Sequence, residues 1–309
     1  MFTAGRGRLV ALGAVVVGAA LALSGCASGN PLATGSNTPA SKTTLIVGSQ
    51  AYYSNEIIAE IYSQALEAGG YTVNRQFKIG QREVYLPQIE AGKIDVFPEY
   101  IGSLTQALDK NAAGGTSDAT YAELKKALPS GLSVLNKAAA SDQNSWTVTQ
   151  AFAKKYNLTD IASLKNVTEP ITVGGNAELE TRPYGPTALK QKYGITTAGF
   201  KAVQDSGGPL TVKALVDGQI QLANIYTADP NIKSNNLVAL KDPDGLFLPD
   251  NIAPVVSKKV DSKAAAILNK VDADLSQADL VSLNSESVNQ QKSAPVIAKA
   301  WLTQKGLLK

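Results

Sequence analysis

Two stretches of matching pattern decide the fold: IEAGKIDVFPEY at residues 89–100 and LVDGQIQLANIY at residues 215–226. Each ends a helical segment on a glycine, turns into a short apolar strand, and places a tyrosine eight residues after the glycine. Ligands of open α/β sheets bind outside the carboxyl ends of the strands. Two lobes built alike would therefore present Tyr100 and Tyr226 to one cleft. The alternative, which spacing does not exclude, is that the two rings pack in separate cores.

Around these stretches, apolar strands alternate with segments of helical period, which predicts mostly parallel sheets covered by helices on both faces. The predicted strands are 44–48, 71–77, 94–97, 173–175, 200–203 and 222–226, and a strand-like segment starts at residue 253. The predicted helices include one with Ser54 as N-cap and Gly69 as left-handed cap. The others are 83–91, 102–108, 117–127, 187–192, 211–217, 262–276 and 288–305.

This order predicts a two-lobed α/β protein. Lobe 1 is expected to comprise residues 43–141 and 253–309, and lobe 2 residues 142–252. The chain would then cross between the lobes twice, which permits closure about a hinge.

The first 25 residues have the pattern of a signal peptide. Arg6 and Arg8 precede an apolar run over 9–23, which is shorter than a bilayer span requires. The following Ser-Gly-Cys resembles a bacterial lipobox, which predicts lipidation of Cys26 and an anchor on the outer face of the cell membrane. An ordinary secretory signal with a chance cysteine is the alternative. Residues 26–42 are rich in Ser, Gly, Asn, Thr, Ala and Pro and predict a flexible tether.

Composition excludes several classes of function. The chain of 309 residues has no histidine and one cysteine, so histidine triads, iron–sulfur clusters, imidazole metal sites and disulfides are excluded. The net charge of +3 falls to +1 without the two arginines of the signal peptide, so no nucleic-acid partner is expected. Neither a nucleophile elbow nor a phosphate-binding glycine loop is present. We therefore predict no enzyme activity, cofactor or metal.

Several motifs together resemble one family, the substrate-binding proteins of glycine betaine, choline and proline betaine ABC importers, which have the type II periplasmic-binding-protein fold. The motifs are VGS at 47–49, EIIAEIY at 56–62, LEAGGY at 66–71, EAGKIDV at 90–96, PEYIGS at 98–103, YTAD at 226–229 and AKAWL at 298–302. The resemblance implies that aromatic rings enclose a quaternary ammonium group, whose charge is attracted by the negative ring faces. It assigns Tyr100, Tyr226 and Trp146 to this cage.

The resemblance also implies polar contacts with the ligand. It places Ser103 and Asn55 there, although both residue types are equally typical of helix caps. Arg182 would bind a ligand carboxylate, or form a surface ion pair. Arg82 would be a cleft residue or order a helix start, and the latter is the preferred interpretation. The expected ligand contacts also include Asn144, from the motif around Trp146, and Thr227, from the motif around Tyr226.

One departure concerns the fourth ring of the cage. Where many members have a tyrosine after Phe-Pro-Pro, this chain reads FLPD at 247–250 and ends on Asp250. Asp250 would attract a cation or be a solvated loop acid, and the latter is the preferred interpretation. Tyr52 or Tyr53 would refill the cage.

The sequence therefore predicts an extracytoplasmic lipoprotein that captures a quaternary-ammonium osmolyte and delivers it to an ABC permease with its ATPase. The main alternative keeps the fold and changes the ligand to a non-quaternary solute, aromatic or amino-acid-like. An enzyme and an adhesin or scaffold are the less favoured alternatives.

Overall fold

The structure, a computed structural model, describes residues 43–308. The predicted signal peptide, Cys26 and the tether lie outside the described residues. The described part of the chain contains ten strands: β1 (Thr44–Gly48), β2 (Thr72–Gln76), β3 (Val96–Tyr100), β4 (Leu132–Val134), β5 (Asn144–Thr149), β6 (Thr172–Gly175), β7 (Gly199–Ala202), β8 (Leu222–Tyr226), β9 (Leu237–Ala239) and β10 (Ile252–Ser257).

The described helices cover both faces of these strands. They are α1 (Tyr53–Ala68), α2 (Arg82–Glu90), α3 (Ile101–Leu108), α4 (Ser117–Ala127), α5 (Gln150–Tyr156), α6 (Pro186–Ala188), α7 (Pro209–Val216), α8 (Asn231–Ser234), α9 (Ser262–Asp274), α10 (Gln277–Val288) and α11 (Ala294–Gln304). Within residues 43–308, no helix combines the length and the apolar run that a membrane crossing needs.

Two sheets of the same topology form the two lobes. Their strand orders are β2-β1-β3-β10-β4 and β7-β6-β8-β5-β9. In each sheet the three strands on one side are parallel, and the next strand, β10 or β5, runs antiparallel to both of its neighbours. The predicted α/β class with mostly parallel sheets is confirmed.

The repeated stretches have the same backbone geometry. Gly92 and Gly218 adopt φ values of +67° and +72° after α2 and α7, a conformation that favours glycine. In both, the glycine N–H and the N–H after it donate to carbonyls of the preceding turn, so each helix ends in a Schellman motif. Three residues after each glycine, Asp95 and Gln221 accept a backbone N–H from β1 and β6 respectively. The repeat therefore fixes where β3 and β8 enter their sheets.

Two adjacent segments join the lobes. Ser141 and Asn251 form an antiparallel bridge, and the Asp142 N–H donates to the Asp250 carbonyl at 3.1 Å. Ile252 is the first residue of β10 and belongs to the sheet of lobe 1. The second connection between the lobes therefore leads directly into β10.

The apolar faces of the helices pack against the sheets and form the hydrophobic cores of the two lobes. Helix α1 is buried between the sheet of lobe 1 and the C-terminal helices, with Ile58, Ile61 and Leu66 fully enclosed. A second cluster around Tyr85 and Phe97 fills the other face of that sheet. Lobe 2 has clusters of its own on its two faces. Each lobe thus has its own hydrophobic core, from which the strand ends carry residues to the cleft.

Two predicted caps of α1 are wrong. The N-cap is Tyr52, because its side chain is held by tertiary contacts, and Ser54 lies inside the first turn. At the other end Gly69 has a φ of −76°, and the left-handed residue is Gly70 with a φ of +95°. Tertiary contacts hold the N-cap, whereas the C-terminal end is a local Schellman motif in which the Gly70 and Tyr71 N–H groups donate to the carbonyls of Glu67 and Leu66.

One helix was not predicted, and two predicted helical segments differ. Residues 277–288 form α10, which sequence analysis missed because only Leu280, Leu283 and Asn284 are buried in a polar segment. Val288 therefore ends a helix instead of beginning one. The segment predicted as a helix over 187–192 is the short α6 followed by one π-helical turn.

Candidate ligand-binding cleft

The cleft lies between the lobes, at the carboxyl ends of β3 and β8. Two small adjoining cavities of about 10 Å³ and about 20 Å³ occupy it. Tyr100 lines the first cavity from lobe 1, and Tyr226 lines both from lobe 2. The structure thus places the two matched tyrosines on one cleft, from opposite sides. Burial raises the pKa of both phenols, so the rings are neutral.

Two polar groups on the lobe 1 side have no partner among residues 43–308. They are the Tyr100 hydroxyl and the Gln50 side-chain N–H₂, both buried on the wall of the same cavity. Buried donors without an acceptor are costly, which favours a bound group that accepts hydrogen bonds.

Tyr52 and Tyr53 support the cleft from the start of α1. The Tyr52 ring packs against Tyr226 with 4.7 Å between centroids, and its hydroxyl donates to Asp142 at 2.9 Å. The Tyr53 hydroxyl crosses to lobe 2 and donates to Asp229 at 3.0 Å. Tyr52 therefore orients the Tyr226 ring, and Tyr53 holds the lobes together.

A third ring on the cleft was missed by sequence analysis. Tyr184 is buried and lines both cavities, with its ring 5.6 Å from that of Phe247. It lies in the loop after a 3₁₀ turn over Ala177–Thr181. The Arg-Pro-Tyr-Gly-Pro sequence indicates a loop, and nothing in it shows that the ring turns inward. Tyr184 thus adds a third ring to the wall of the cleft, beside Tyr100 and Tyr226.

Two buried carboxyl groups lie beside these rings. Asp142 accepts from the Ala228 N–H and the Tyr52 hydroxyl, and burial raises its pKa to about 7. Asp250 accepts from the N–H and the hydroxyl of Ser103 at 2.6 and 2.5 Å, and burial raises its pKa to about 6. The preferred interpretation of Asp250 as a solvated loop acid is wrong, because the side chain caps the first turn of α3 from inside the cleft.

Ser103 and Asn144 join the two walls. The Ser103 hydroxyl donates to Asp250 and accepts from the Asn144 side-chain N–H₂ at 3.1 Å. Both residues line the same cavity as Tyr100.

Two arginines approach the cleft from opposite lobes. Arg82 is buried and pairs with buried Glu99, with 3.0 Å between the closest nitrogen and oxygen. Arg182 pairs across the lobe junction with exposed Glu83 at 3.0 Å, and its Nε has no partner among the described residues. Arg82 thus lines the cleft in addition to starting α2, and Arg182 is at once an ion-pair residue and part of the wall.

Five predicted site residues line neither cavity: Tyr52 and Tyr53, described above, and Trp146, Asn55 and Thr227. Trp146 is 0% exposed in the core of lobe 2, 6.1 Å from Phe247, so its assignment to the cage is not supported. It shares a face of β5 with Asn144 but lies two residues deeper in the lobe. Asn55 uses its amide internally, accepting from the Gln50 N–H and donating to the Pro98 carbonyl. Thr227 is exposed and accepts from the Gln143 N–H near the crossover.

Comparisons with known proteins agree with this architecture. The family model of the substrate binding domain of ABC-type glycine betaine transport systems matches residues 43–304. The glycine betaine-binding protein YehZ of Escherichia coli is 26% identical over 277 residues, covering 85% of this chain and 91% of that protein. The ergothioneine transport permease/ergothioneine binding protein EgtU of Helicobacter pylori is 24% identical over 269 residues, covering 85% of this chain and 48% of that protein.

A solved structure described as a glycine betaine/carnitine/choline ABC transporter superposes with a TM-score of 0.69 at 19% identity, covering 86% of this chain and 100% of that chain. This likeness supports the predicted type II periplasmic-binding-protein fold. With the family model matching most of its length, the chain belongs to the family of substrate-binding domains of ABC-type glycine betaine transport systems.

Proposed function

We propose that this protein is an extracytoplasmic, lipid-anchored solute-binding protein that captures a quaternary-ammonium osmoprotectant, glycine betaine or a related compound, between its lobes. The observation that carries the proposal is the convergence of Tyr100, Tyr184 and Tyr226 on one cleft beside two buried carboxyl groups. It delivers this solute to an ABC permease with its ATPase. Lipidation of Cys26 provides the anchor.

The aromatic and acidic walls suit a permanent cation. A quaternary ammonium donates no hydrogen bond, so ring faces replace its hydration by cation–π attraction. Ionised Asp142 and Asp250 add Coulombic attraction in a site from which water is largely excluded. The ring contacts and the negative charges of the two carboxylates therefore both favour a cation over a neutral solute of the same shape.

The donors on the cleft suit a carboxylate at the other end of the ligand. The Tyr100 hydroxyl and the Gln50 amide offer free N–H or O–H groups, and Arg182 offers a guanidinium edge. Charge-assisted hydrogen bonds to a carboxylate are stronger than those to a neutral hydroxyl. We therefore expect a betaine, with its carboxylate, to bind more tightly than choline.

Closure of the two lobes over the ligand is stabilised by hydrogen bonds between them. Gln81 donates to Ser206 at 2.9 Å and Tyr53 to Asp229 at 3.0 Å across the junction. The cavities between the closed walls are small, so the ligand enters a more open state. A ligand that touches both walls stabilises the closed state by its differential affinity, and the permease would recognise that state.

The test of this function is calorimetric titration of the purified chain with glycine betaine, choline, carnitine and proline betaine. Arginine serves as a non-quaternary control. We expect saturable binding of the betaines and none of arginine. Binding of a non-quaternary, amino-acid-like solute alone would favour the alternative ligand class, which the amide-rich wall of Gln50, Gln81 and Asn144 would also suit.

The pH dependence of binding tests the acidic wall. Burial raises the pKa of Asp142 to about 7 and of Asp250 to about 6, so both gain protons as the pH falls from 8 to 5.5. Glycine betaine does not titrate in this range, and its cation favours the ionised carboxylates. Its affinity is therefore expected to fall by roughly tenfold or more on acidification.

The matched variant is Asp142→Asn, which removes the charge at nearly constant shape. Its affinity at pH 8 is expected to be reduced, and its dependence on pH to be flatter than that of the unchanged chain. Equal affinity of the unchanged chain at both pH values, measured by calorimetry, would contradict a role for the acidic wall.

A further inference from the structure

The turn that follows β8 is embedded in lobe 1. It comprises residues 227–229, and the Asp229 N–H donates to the Tyr226 carbonyl at 3.0 Å; we call it the β8 turn. Its middle residue, Ala228, is 0% exposed and belongs to the apolar cluster that α1 forms with the C-terminal helices of lobe 1. The strand before it belongs to the sheet of lobe 2. At the β8 turn, therefore, lobe 2 reaches into the core of lobe 1.

Three side chains hold the β8 turn. The Asn284 side-chain N–H₂ donates to the Ala228 carbonyl at 3.1 Å, and the Asp142 carboxylate accepts from the Ala228 N–H at 2.8 Å. The Tyr53 hydroxyl donates to Asp229 at 3.0 Å. Buried backbone groups need hydrogen-bond partners, and both polar groups of Ala228 find theirs in side chains outside the sheet of lobe 2.

Helix α10, which carries Asn284, also holds a segment that connects the lobes. At its start, the Gln277 side-chain oxygen accepts from the Ser141 N–H at 2.8 Å. Just before it, the Leu275 carbonyl accepts from the Ala140 N–H at 3.2 Å. Asn284 lies about two turns further along the same helix. Helix α10 therefore fixes the β8 turn relative to the connecting segment.

The β8 turn adjoins two groups on the cleft. Tyr226 directly precedes it, and its ring lines both cavities. Asp142 accepts from the Ala228 N–H and lines the smaller cavity. It also accepts from the hydroxyl of Tyr52, whose ring packs against Tyr226. Asn284 is 0% exposed and lines neither cavity, so a change at Asn284 reaches a ligand only through the turn.

We propose that Asn284 is a positioning residue of the ligand site, which anchors the β8 turn in lobe 1 and thereby holds the Tyr226 ring and the Asp142 carboxylate against the rings of lobe 1. This inference rests on the proposed function. The Asn284 side-chain oxygen is buried without a partner among residues 43–308, which costs free energy. An apolar side chain would avoid this cost but would leave the Ala228 carbonyl without the donor that holds the turn.

Asn284→Leu tests the anchor, because leucine has a similar volume and donates no hydrogen bond. The chain is labelled with fluorotyrosine, and the fluorine NMR signal of Tyr226 is assigned by its absence in Tyr226→Phe. We expect this signal to shift or broaden in unliganded Asn284→Leu, and the affinity for glycine betaine, measured by calorimetry, to fall at least about fivefold. A residue that only stabilised α10 would lower the unfolding temperature without moving the Tyr226 signal.

The matched control is Tyr121→Phe, which also removes one side-chain hydrogen bond to a backbone carbonyl of lobe 1, that of Leu135 at 2.7 Å. It should leave the Tyr226 signal and the affinity unchanged. Asn284→Ala removes the donor without adding apolar volume, and it provides the same two measurements if Asn284→Leu folds poorly. Tyr53→Phe releases the turn at Asp229, and its effect on affinity should differ when Asn284 is already replaced, because both residues hold one turn.

An unmoved Tyr226 signal with unchanged affinity in the Asn284 variants would overturn the anchor while leaving the proposed function in place. Equal changes in Asn284→Leu and Tyr121→Phe would also overturn it, since any loss of a hydrogen bond in lobe 1 would then act on the cleft. Failure of the unchanged chain to bind glycine betaine would refute the proposed function. The Tyr226 signal of the unliganded chain would then still decide whether Asn284 positions that ring.

Discussion

Glu99→Gln is expected to destabilise the protein by about 3–5 kcal/mol, because it leaves the Arg82 guanidinium buried without a counter-charge. Glu99 accepts from Arg82, from the Tyr85 hydroxyl at 2.7 Å and from the Tyr100 N–H at 3.0 Å. The side chains of Arg82 and Glu99 are only 7% and 1% exposed, so water cannot replace the lost partner. The measurement is the free energy of unfolding in urea without ligand.

The control for this prediction is Glu83→Gln, which breaks the other arginine ion pair near the cleft. The Glu83 side chain is 59% exposed, so we expect a loss of about 1 kcal/mol or less. Equal losses in the two variants would show that Arg82 reaches solvent when Glu99 is neutral. The buried pair would then contribute little to stability.

The repeat explains why the fold could be predicted from the sequence. Gly92 and Gly218 mark helix ends that only a left-handed residue completes, and the strand after each has a regular apolar pattern. Such local signals are complete within a dozen residues. The same signals locate Tyr100 and Tyr226, since a strand end in an α/β sheet has a fixed place relative to the cleft.

Other parts of the candidate site depend on contacts that no local pattern contains. Tyr184 turns inward because Phe247 and the cleft enclose its loop, and Asp250 is buried because the first turn of α3 supplies two donors to it. Trp146 had a favourable residue type and position in a motif, but its depth along β5 puts it in the core. Residue type and spacing therefore indicate which kinds of side chain a cleft needs. They do not show which side chains reach the cleft, because that depends on contacts with residues distant in sequence.

Affinity for glycine betaine is expected to fall most when the rings of the cleft are removed. A desolvated cation–π contact contributes about 2 kcal/mol or more, so Tyr226→Ala should weaken binding by about 30-fold. Tyr100→Ala should have a similar effect, with a further loss from its hydroxyl, which has no partner among residues 43–308. The double variant should lose about 10³-fold if the two contacts are independent.

Two matched variants separate the rings from general damage to the fold. Tyr100→Phe keeps the ring and removes only the hydroxyl, so its loss should be clearly smaller than that of Tyr100→Ala. Trp146→Phe alters a ring that the structure places in the core of lobe 2, so it should lower the stability of the lobe and change affinity less than about threefold. The measurements are calorimetric titration and thermal unfolding of each variant. A large loss of affinity in Trp146→Phe, with affinity retained in Tyr226→Ala, would move the cage from the carboxyl ends of β3 and β8 to the interior of lobe 2.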